Sequence, residues 1–343
     1  MVKFIGLDLG TSTLKVSTDN MAKLFKIPSI IGDVNEGWTG MAMDKSWINN
    51  LILEQGGREY FVGELARTQS EIKRPIASEG KMKSAEEAFI AIKSALSLVA
   101  EDGDEYILCA GVPVATPQGE MKELSRLLKG DHEIKIRNDA TSEKKDLSVS
   151  AKKCLVIPEP YGTYYKTLKD RGEESAIDAV MIDIGHGSTD FLSMYQGHPM
   201  RTASGSLNEA VDTLTSRIAK KLQDQTGRII RPFDLMKSIE LGRDDVMLGG
   251  ERFSIKEVKE YYAEQIARIM VDETERLIST LPPDAYVELY ICCGGGAYTF
   301  GEFIRNALAE MKMIANPEEC VIPEDPVMSN AMGFELVAQS RIE

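Results

Sequence analysis

The chain has 343 residues, enough for about two domains of ordinary size. With 43% hydrophobic and 27% charged residues it can bury sizeable cores, and it lacks the bias of a disordered or fibrous chain. Its formal net charge of −14 repels phosphodiester backbones, which argues against direct nucleic-acid binding.

In chain order, strands and helices alternate, which predicts an α/β architecture. The opening "MVKFIGLDLG" enters a strand directly, without an apolar leader, and no stretch approaches the roughly 18 apolar residues of a membrane span. A cytoplasmic protein without membrane contact is therefore expected. Residues 3–9 and 13–18 read as a hairpin with Thr11 and Ser12 at its turn, and the mixed stretch 20–80 as a small inserted subdomain. Ser84 with Glu87 forms a capping box before an apolar run at helical spacing, and "YILCAGVPVA" reads as a buried strand. After "VIPEPYG" the logic repeats. "AVMIDIGHGSTDFLSMY" reads as a second strand pair, and "LNEAVDTLTSRIAKKL" as an amphipathic helix with Leu207, Val211, Leu214 and Ile218 on one stripe. Ser254 and Glu257 form a second capping box before a long helix. "YVELYICCGGGAY" is a strand running into three glycines, with a helix from about 299 to 313 behind them, and a helix over 328–343 returns the chain to its first half. Cys109, Cys154, Cys292, Cys293 and Cys320 lack paired metal-binding spacing and are expected as buried free thiols.

"GLDLGTSTLKV" and "MIDIGHGSTDF" each place an aspartate, a glycine and hydroxyl residues at the tip of an apolar strand. Such turns cluster main-chain N–H groups that hold phosphate oxygens. Asp8 and Asp183 are placed to hold a magnesium ion through its waters, and Lys15 to put a point charge near a β-phosphate. The plainer alternative is two hairpin turns in which Asp and Gly satisfy turn geometry, but the matched pair favours a clamp. The two aspartates lie 175 residues apart, about half the chain, as expected of two similar halves.

These residues resemble the actin-like ATPase superfamily. "LDLGTSTLK" is similar to its first phosphate loop, "VIPEPYGTYY" to the first connecting segment, "IDIGHGSTD" to the second phosphate loop and "YICCGGGAY" to the adenosine loop, with "SNAMGFELV" a weaker match to the second connecting segment. Lys15, "KIPSIIG", "YFVGELA" and the short chain resemble the ParM-like and archaeal actin-like group. The resemblance implies a two-lobed fold of duplicated ribonuclease-H-like domains with a nucleotide cleft between the lobes. The first lobe would span 1–157 together with the returning helix, and the second 158–327.

It also implies a Mg-ATP-binding ATPase, GTP being an alternative, whose phosphates meet Gly10, Thr11, Ser12, Thr13, Lys15, Gly185, His186, Gly187, Ser188 and Thr189. Gly294, Gly295 and Gly296 would approach the adenosine, and the helix of Asn208 to Leu222 would line the nucleoside pocket. Asp8, Asp183 and Glu159 are the expected catalytic residues, Glu159 orienting the attacking water unless it is only a solvated charge between prolines. Self-association into dynamic filaments is expected, for plasmid segregation or a cytoskeletal role, with an adaptor protein linking them to cargo. A small-molecule kinase of the same fold and a non-polymerising assembly or reactivation factor remain alternatives.

Overall fold

The computed structural model describes residues 2–10, 12–35, 42–76, 85–173 and 175–340. Thr11 and the capping Ser84 fall outside them. Contacts divide the chain into two compact units, Met1–Tyr165 with Asn330–Glu343, and Lys166–Ser329.

The first unit is built on a ten-stranded sheet. Its strands are β1 (Lys3–Leu9), β2 (Thr13–Thr18), β3 (Lys23–Pro28), β4 (Ile30–Asp33), β5 (Leu51–Gln55), β6 (Arg58–Val62), β7 (Lys73–Pro75), β8 (Glu105–Val112), β9 (Gly130–Asn138) and β10 (Lys144–Pro158), in the order β3-β2-β1-β8-β10-β9-β5-β6-β4-β7. The helices are α1 (Glu64–Gln69), α2 (Ala85–Leu96), α3 (Gln118–Leu128) and the start of α4 (Glu159–Arg171). At the centre β1, β8 and β10 run parallel, and β1 is buried on both faces, as a strand covered by helices must be. On β9, exposed and buried residues alternate instead, so one face meets water.

One face of this sheet packs Ile5, Leu7, Leu14 and Leu108 against Ile90 of α2 and Leu128 of α3. The other packs Cys109, Phe4 and Ile157 against Tyr161 of α4 and Phe334 and Val337 of α9 (Ser329–Ser340). There the two helices cross backbone to backbone. A Cβ on Gly333 would lie 1.7 Å from the Gly162 carbonyl oxygen, and one on Gly162 only 2.5 Å from that of Asn330. Beside the crossing the Thr163 hydroxyl donates to Asn330 Oδ1 at 2.6 Å.

The second unit holds β11 (Ala179–Ile184), β12 (Thr189–Tyr195), β13 (His198–Pro199), β14 (Gly205–Leu207), α5 (Val211–Thr226), α6 (Pro232–Glu240), the hairpin β15 (Asp245–Leu248) and β16 (Glu251–Ser254), α7 (Lys256–Ile278), β17 (Leu289–Cys293), α8 (Ala297–Glu310) and β18 (Cys320–Val321). The main sheet runs β13-β12-β11-β17-β18, with β14 on β12. Its core joins Val180 and Ile182 to Leu214 and Ile218 of α5, Ile266 and Met270 of α7, and Ile304 of α8. Two local expectations shift. Leu207 ends β14 rather than joining the stripe of α5, and Ser254 closes β16, paired with Asp245, so that α7 is capped by Ile255 without a side-chain hydrogen bond. Strand pairing outcompetes the capping hydroxyl there. All five cysteines are buried and none is joined in a disulfide. No helix of the described residues is long and apolar enough to cross a membrane.

Two predictions follow from the packing of the first unit. Gly333→Ala is expected to lower the free energy of urea unfolding by about 3 kcal/mol, because its methyl group meets backbone that cannot move aside. Gly119→Ala, where an added Cβ meets nothing within 4 Å, is expected to be neutral or slightly stabilising; equal curves for both variants would contradict the crossing. The second concerns His132, which is buried on β9 with its Nε2–H donating to the Leu128 carbonyl at 2.9 Å. Burial, aided by nearby Lys93, holds its pKa below the ordinary 6.5. The neutral ring thus contributes stability that is present above about pH 6.5 and is lost as pH falls toward the lowered value. His132→Gln keeps a donor but cannot titrate, so its melting temperature should fall less steeply than wild type below pH 6.5; parallel profiles would count against this.

Candidate functional site

In the first unit the site begins where three parallel strands end together. Leu7 of β1, Ala110 of β8 and Val156 of β10 lie side by side, so the residues that follow, Asp8, Gly111 and Ile157 with Pro158 and Glu159 behind it, emerge at one sheet edge. The carboxyl ends of parallel strands are where α/β sheets bind ligands.

Asp8 is only 2% exposed and pairs across the β1–β2 hairpin with Lys15, whose Nζ donates to Asp8 Oδ2 at 2.6 Å. A carboxylate so deeply placed needs such a partner. The hairpin can be this tight because residue 10 is glycine: a Cβ there would lie 2.6 Å from the Thr13 carbonyl oxygen. Ser12 is exposed at the tip and Thr13 half-buried. Glu159, first residue of α4, is half-buried, its Cγ occupying space that a side chain on Gly111 would take.

The second unit repeats the arrangement. Asp183, 8% exposed, is the penultimate residue of β11 and lies opposite Asp190 of β12, whose Oδ1 accepts from Ser206 Oγ. Gly185 N–H donates to the Ser188 carbonyl at 2.9 Å and closes the turn, and the His186 carbonyl accepts from Asp212 N–H at 2.9 Å, which ties the turn to the start of α5. His186 and Gly187 are half-buried and Ser188 is exposed. Thr189 departs from the expectation that it meets phosphate beside Ser188. It is fully buried, and its hydroxyl donates to the Glu209 carbonyl at 2.7 Å, which anchors β12 to the segment ahead of α5.

β17 runs parallel to β11 with Cys293 beside Asp183, so Gly294 follows at that carboxylate. Gly294 has φ +79°, and a Cβ on it would lie 2.4 Å from Asp183 Oδ1. Both its conformation and its space demand glycine. Gly296 N–H donates to the Ile184 carbonyl at 2.8 Å, and a Cβ there would strike Ile184. Gly295 is exposed and faces open space. α8 starts directly afterwards with no side-chain cap on its first N–H groups, the arrangement that receives anions.

Behind the glycines a cavity of about 160 Å³ is lined by Ile239 and Gly242 at the end of α6, Lys259 and Glu260 of α7, and Tyr298, Thr299 and Phe303 of α8. The expected pocket helix, Asn208 to Leu222, contributes none of these residues. Lys259 Nζ donates to Asp244 Oδ1 at 2.6 Å, holding the start of α7 to the loop before β15. Burial raises the pKa of the Tyr298 hydroxyl, with a further contribution from Asp325. Sequence reasoning missed this lining. Tyr298 and Thr299 stand next to the glycines and could have been inferred from that, whereas Lys259 and Glu260 carry no local signal.

Two family models match. "Actin like proteins N terminal domain" covers residues 6–162, and "Archaeal actin homologue MreB-like, C-terminal" covers 181–306. No curated protein sequence matches the chain. Among solved structures, the archaeal actin homolog Ta0583 in complex with ADP is similar at 21% identity and a TM-score of 0.77, covering 99% of this chain and 100% of its own. A 15-stranded ParM filament from Clostridium botulinum gives 19% and 0.75 with the same coverage. ParM of Bacillus thuringiensis with AMPPNP gives 13% and 0.69 over 99% of each chain. At these identities the likeness is one of fold. With an actin-like N-terminal model and an archaeal actin homologue C-terminal model matched in order, one on each sheet, the chain belongs to the actin-like proteins.

Proposed function

We propose that this actin-like protein binds a magnesium nucleoside triphosphate through the paired strand-end turns, hydrolyses it, and assembles with copies of itself into filaments. One observation carries the reading: the same device is built twice, a buried aspartate at the end of an apolar strand, a glycine forced by space, and an exposed serine at the turn. Gly10, Thr11, Ser12, Thr13 and Lys15 would receive phosphates from one unit, and Gly185, His186, Gly187 and Ser188 from the other. Thr189 would support the second turn from beneath rather than contact the nucleotide. Gly294, Gly295 and Gly296 would lie along the sugar and α-phosphate, with the cavity beside Tyr298 taking the base.

The donor chemistry suits magnesium. Asp8 and Asp183 offer hard oxygen ligands, and among the described residues no three His, Cys, Asp or Glu side chains are grouped into a protein cage. That matches an ion held chiefly by phosphates and water, which Asp8 and Asp183 would hold through that water. The bound ion would neutralise charge developing on the phosphates. Glu159 would orient the attacking water or accept its proton, and Lys15 would bring positive charge to the phosphates. The solved ADP and AMPPNP complexes of similar fold support the nucleotide, and the ParM filament supports self-assembly. Subunit contacts that repeat head to tail without closing a ring give open filaments. A plasmid-segregation or cytoskeletal duty in the cytoplasm belongs to the same proposal. The comparisons lend no support to an adaptor, so the proposal names no partner besides copies of the chain.

Asp8→Ala and Asp183→Ala should each weaken magnesium-dependent binding of ATP and GTP in calorimetry; wild-type affinity in both would reject a shared site. Glu159→Ala should bind nucleotide almost as wild type but release phosphate at least about a hundredfold more slowly. Light scattering recorded alongside should show nucleotide-dependent assembly in both proteins, with slower disassembly in the variant. Equal release rates would remove Glu159 from the chemistry, and an absence of assembly with either nucleotide would leave a monomeric factor or a kinase.

A further inference from the structure

Glu335, on α9 within "SNAMGFELV", is fully buried. Its Oε2 accepts from the Ser17 hydroxyl at 2.6 Å and from Met21 N–H at 3.1 Å, and its Oε1 from Asn20 N–H at 2.7 Å and Gln339 Nε2 at 3.3 Å. Each oxygen thus receives two donors, and among the described residues none of them is a cation. Four donors suit a carboxylate, which accepts on both oxygens. Burial and neighbouring Asp19 push its pKa up, and the hydrogen bonds from Ser17, Met21 and Asn20 oppose that rise.

The main-chain donors belong to a turn with an uncommon conformation. Asp19, Asn20 and Met21, which join β2 to β3, have φ of 61°, 55° and 63°. Three successive non-glycine residues in the left-handed region are strained, and such strain persists only where the surroundings enforce it. Glu335 provides that enforcement, and Gln339 adds to it by donating to Asn20 Oδ1 at 3.0 Å. The helix itself cannot drift, because a Cβ on Gly6 of β1 would lie 1.9 Å from the Ala331 carbonyl oxygen and 2.5 Å from Glu335 N. Gly6 pairs with Ser17, and the next pair on the same face of the hairpin is Asp8 with Lys15.

We infer that Glu335 is a positioning residue for nucleotide binding, holding β2 through Ser17 and the left-handed turn so that Lys15 stays in register against Asp8. The role rests on the nucleotide reading above. It gives α9 a task besides packing: the far end of the phosphate hairpin is clamped, so the turn that meets the phosphates is presented ready-made, with less ordering to be done on binding.

The test is Glu335→Gln in the full-length protein, with Ser17→Ala as a milder second variant. Glutamine has the same shape but offers one accepting oxygen and an amide that faces donors, so a space-filling role would leave it silent. Without nucleotide, hydrogen exchange at Asn20 and Met21 should quicken by about ten- to a hundredfold in Glu335→Gln, the range expected for losing hydrogen bonds to a charged group. With nucleotide, calorimetry should show magnesium-ATP affinity weakened by roughly tenfold, with a smaller loss in Ser17→Ala. Exchange like wild type would overturn the clamp, and faster exchange with unchanged affinity would overturn its positioning role. A wild-type protein that binds no nucleotide would instead overturn the reading on which this one rests, and the positioning role with it.

Discussion

A carboxylate can be sunk at the end of an apolar strand only if the protein supplies what water would have supplied, and in the first unit the local structure is arranged around that demand. Removing such a charge from water costs several kcal/mol unless partners replace the solvent. In the first unit the partner is Lys15, which sits opposite Asp8 only if β1 and β2 turn back at once in register. That tight return in turn requires Gly10. In the second unit the space taken by Asp183 Oδ1 exists because residue 294 has no side chain. The turn glycines are consequences of buried charge as much as features of loops.

A second constraint is backbone proximity. Gly6, Gly111, Gly162 and Gly333 each stand where a Cβ would collide with main chain or a packed side chain. Together they let α4 and α9 lie directly on the central strands of the first unit. Glu159 is thereby brought to the edge where β1, β8 and β10 end, and Glu335 reaches the turn beyond β2. The same close packing that builds the core therefore aims two carboxylates, one toward the proposed chemistry and one away from solvent altogether. Packed interiors are stiff, so both side chains inherit the rigidity of the sheet.

The second unit is built differently around its proposed ligand-facing parts. There the glycines at 294–296 sit between a parallel strand and an uncapped helix start, and the walls of the adjoining cavity come from three helices. Main-chain groups and helix ends dominate this half, whereas charged side chains dominate the first. Phosphates suit the charges and turn amides of Asp8–Lys15 and Gly185–Ser188, and a nucleoside suits a mixed wall of Tyr298, Phe303 and Lys259.

Local pattern alone determined the alternation of strands and helices, both Asp-Gly turns, the Gly-Gly-Gly segment before α8 and the membership in the actin-like proteins, because each of these is written within a dozen residues of chain. Hydrogen-bond competition already spoiled some local readings. Ser254 carries the pattern of a helix cap but is taken by β16, and Thr189 has the look of a phosphate donor but is spent on the Glu209 carbonyl. Tertiary structure decided the rest. Lys259 and Tyr298 share a cavity although 39 positions separate them, and Glu335 clamps a turn more than 300 residues earlier in the chain. No period or motif records such pairs, since each is fixed only when separate helices and sheets have buried their apolar faces against one another.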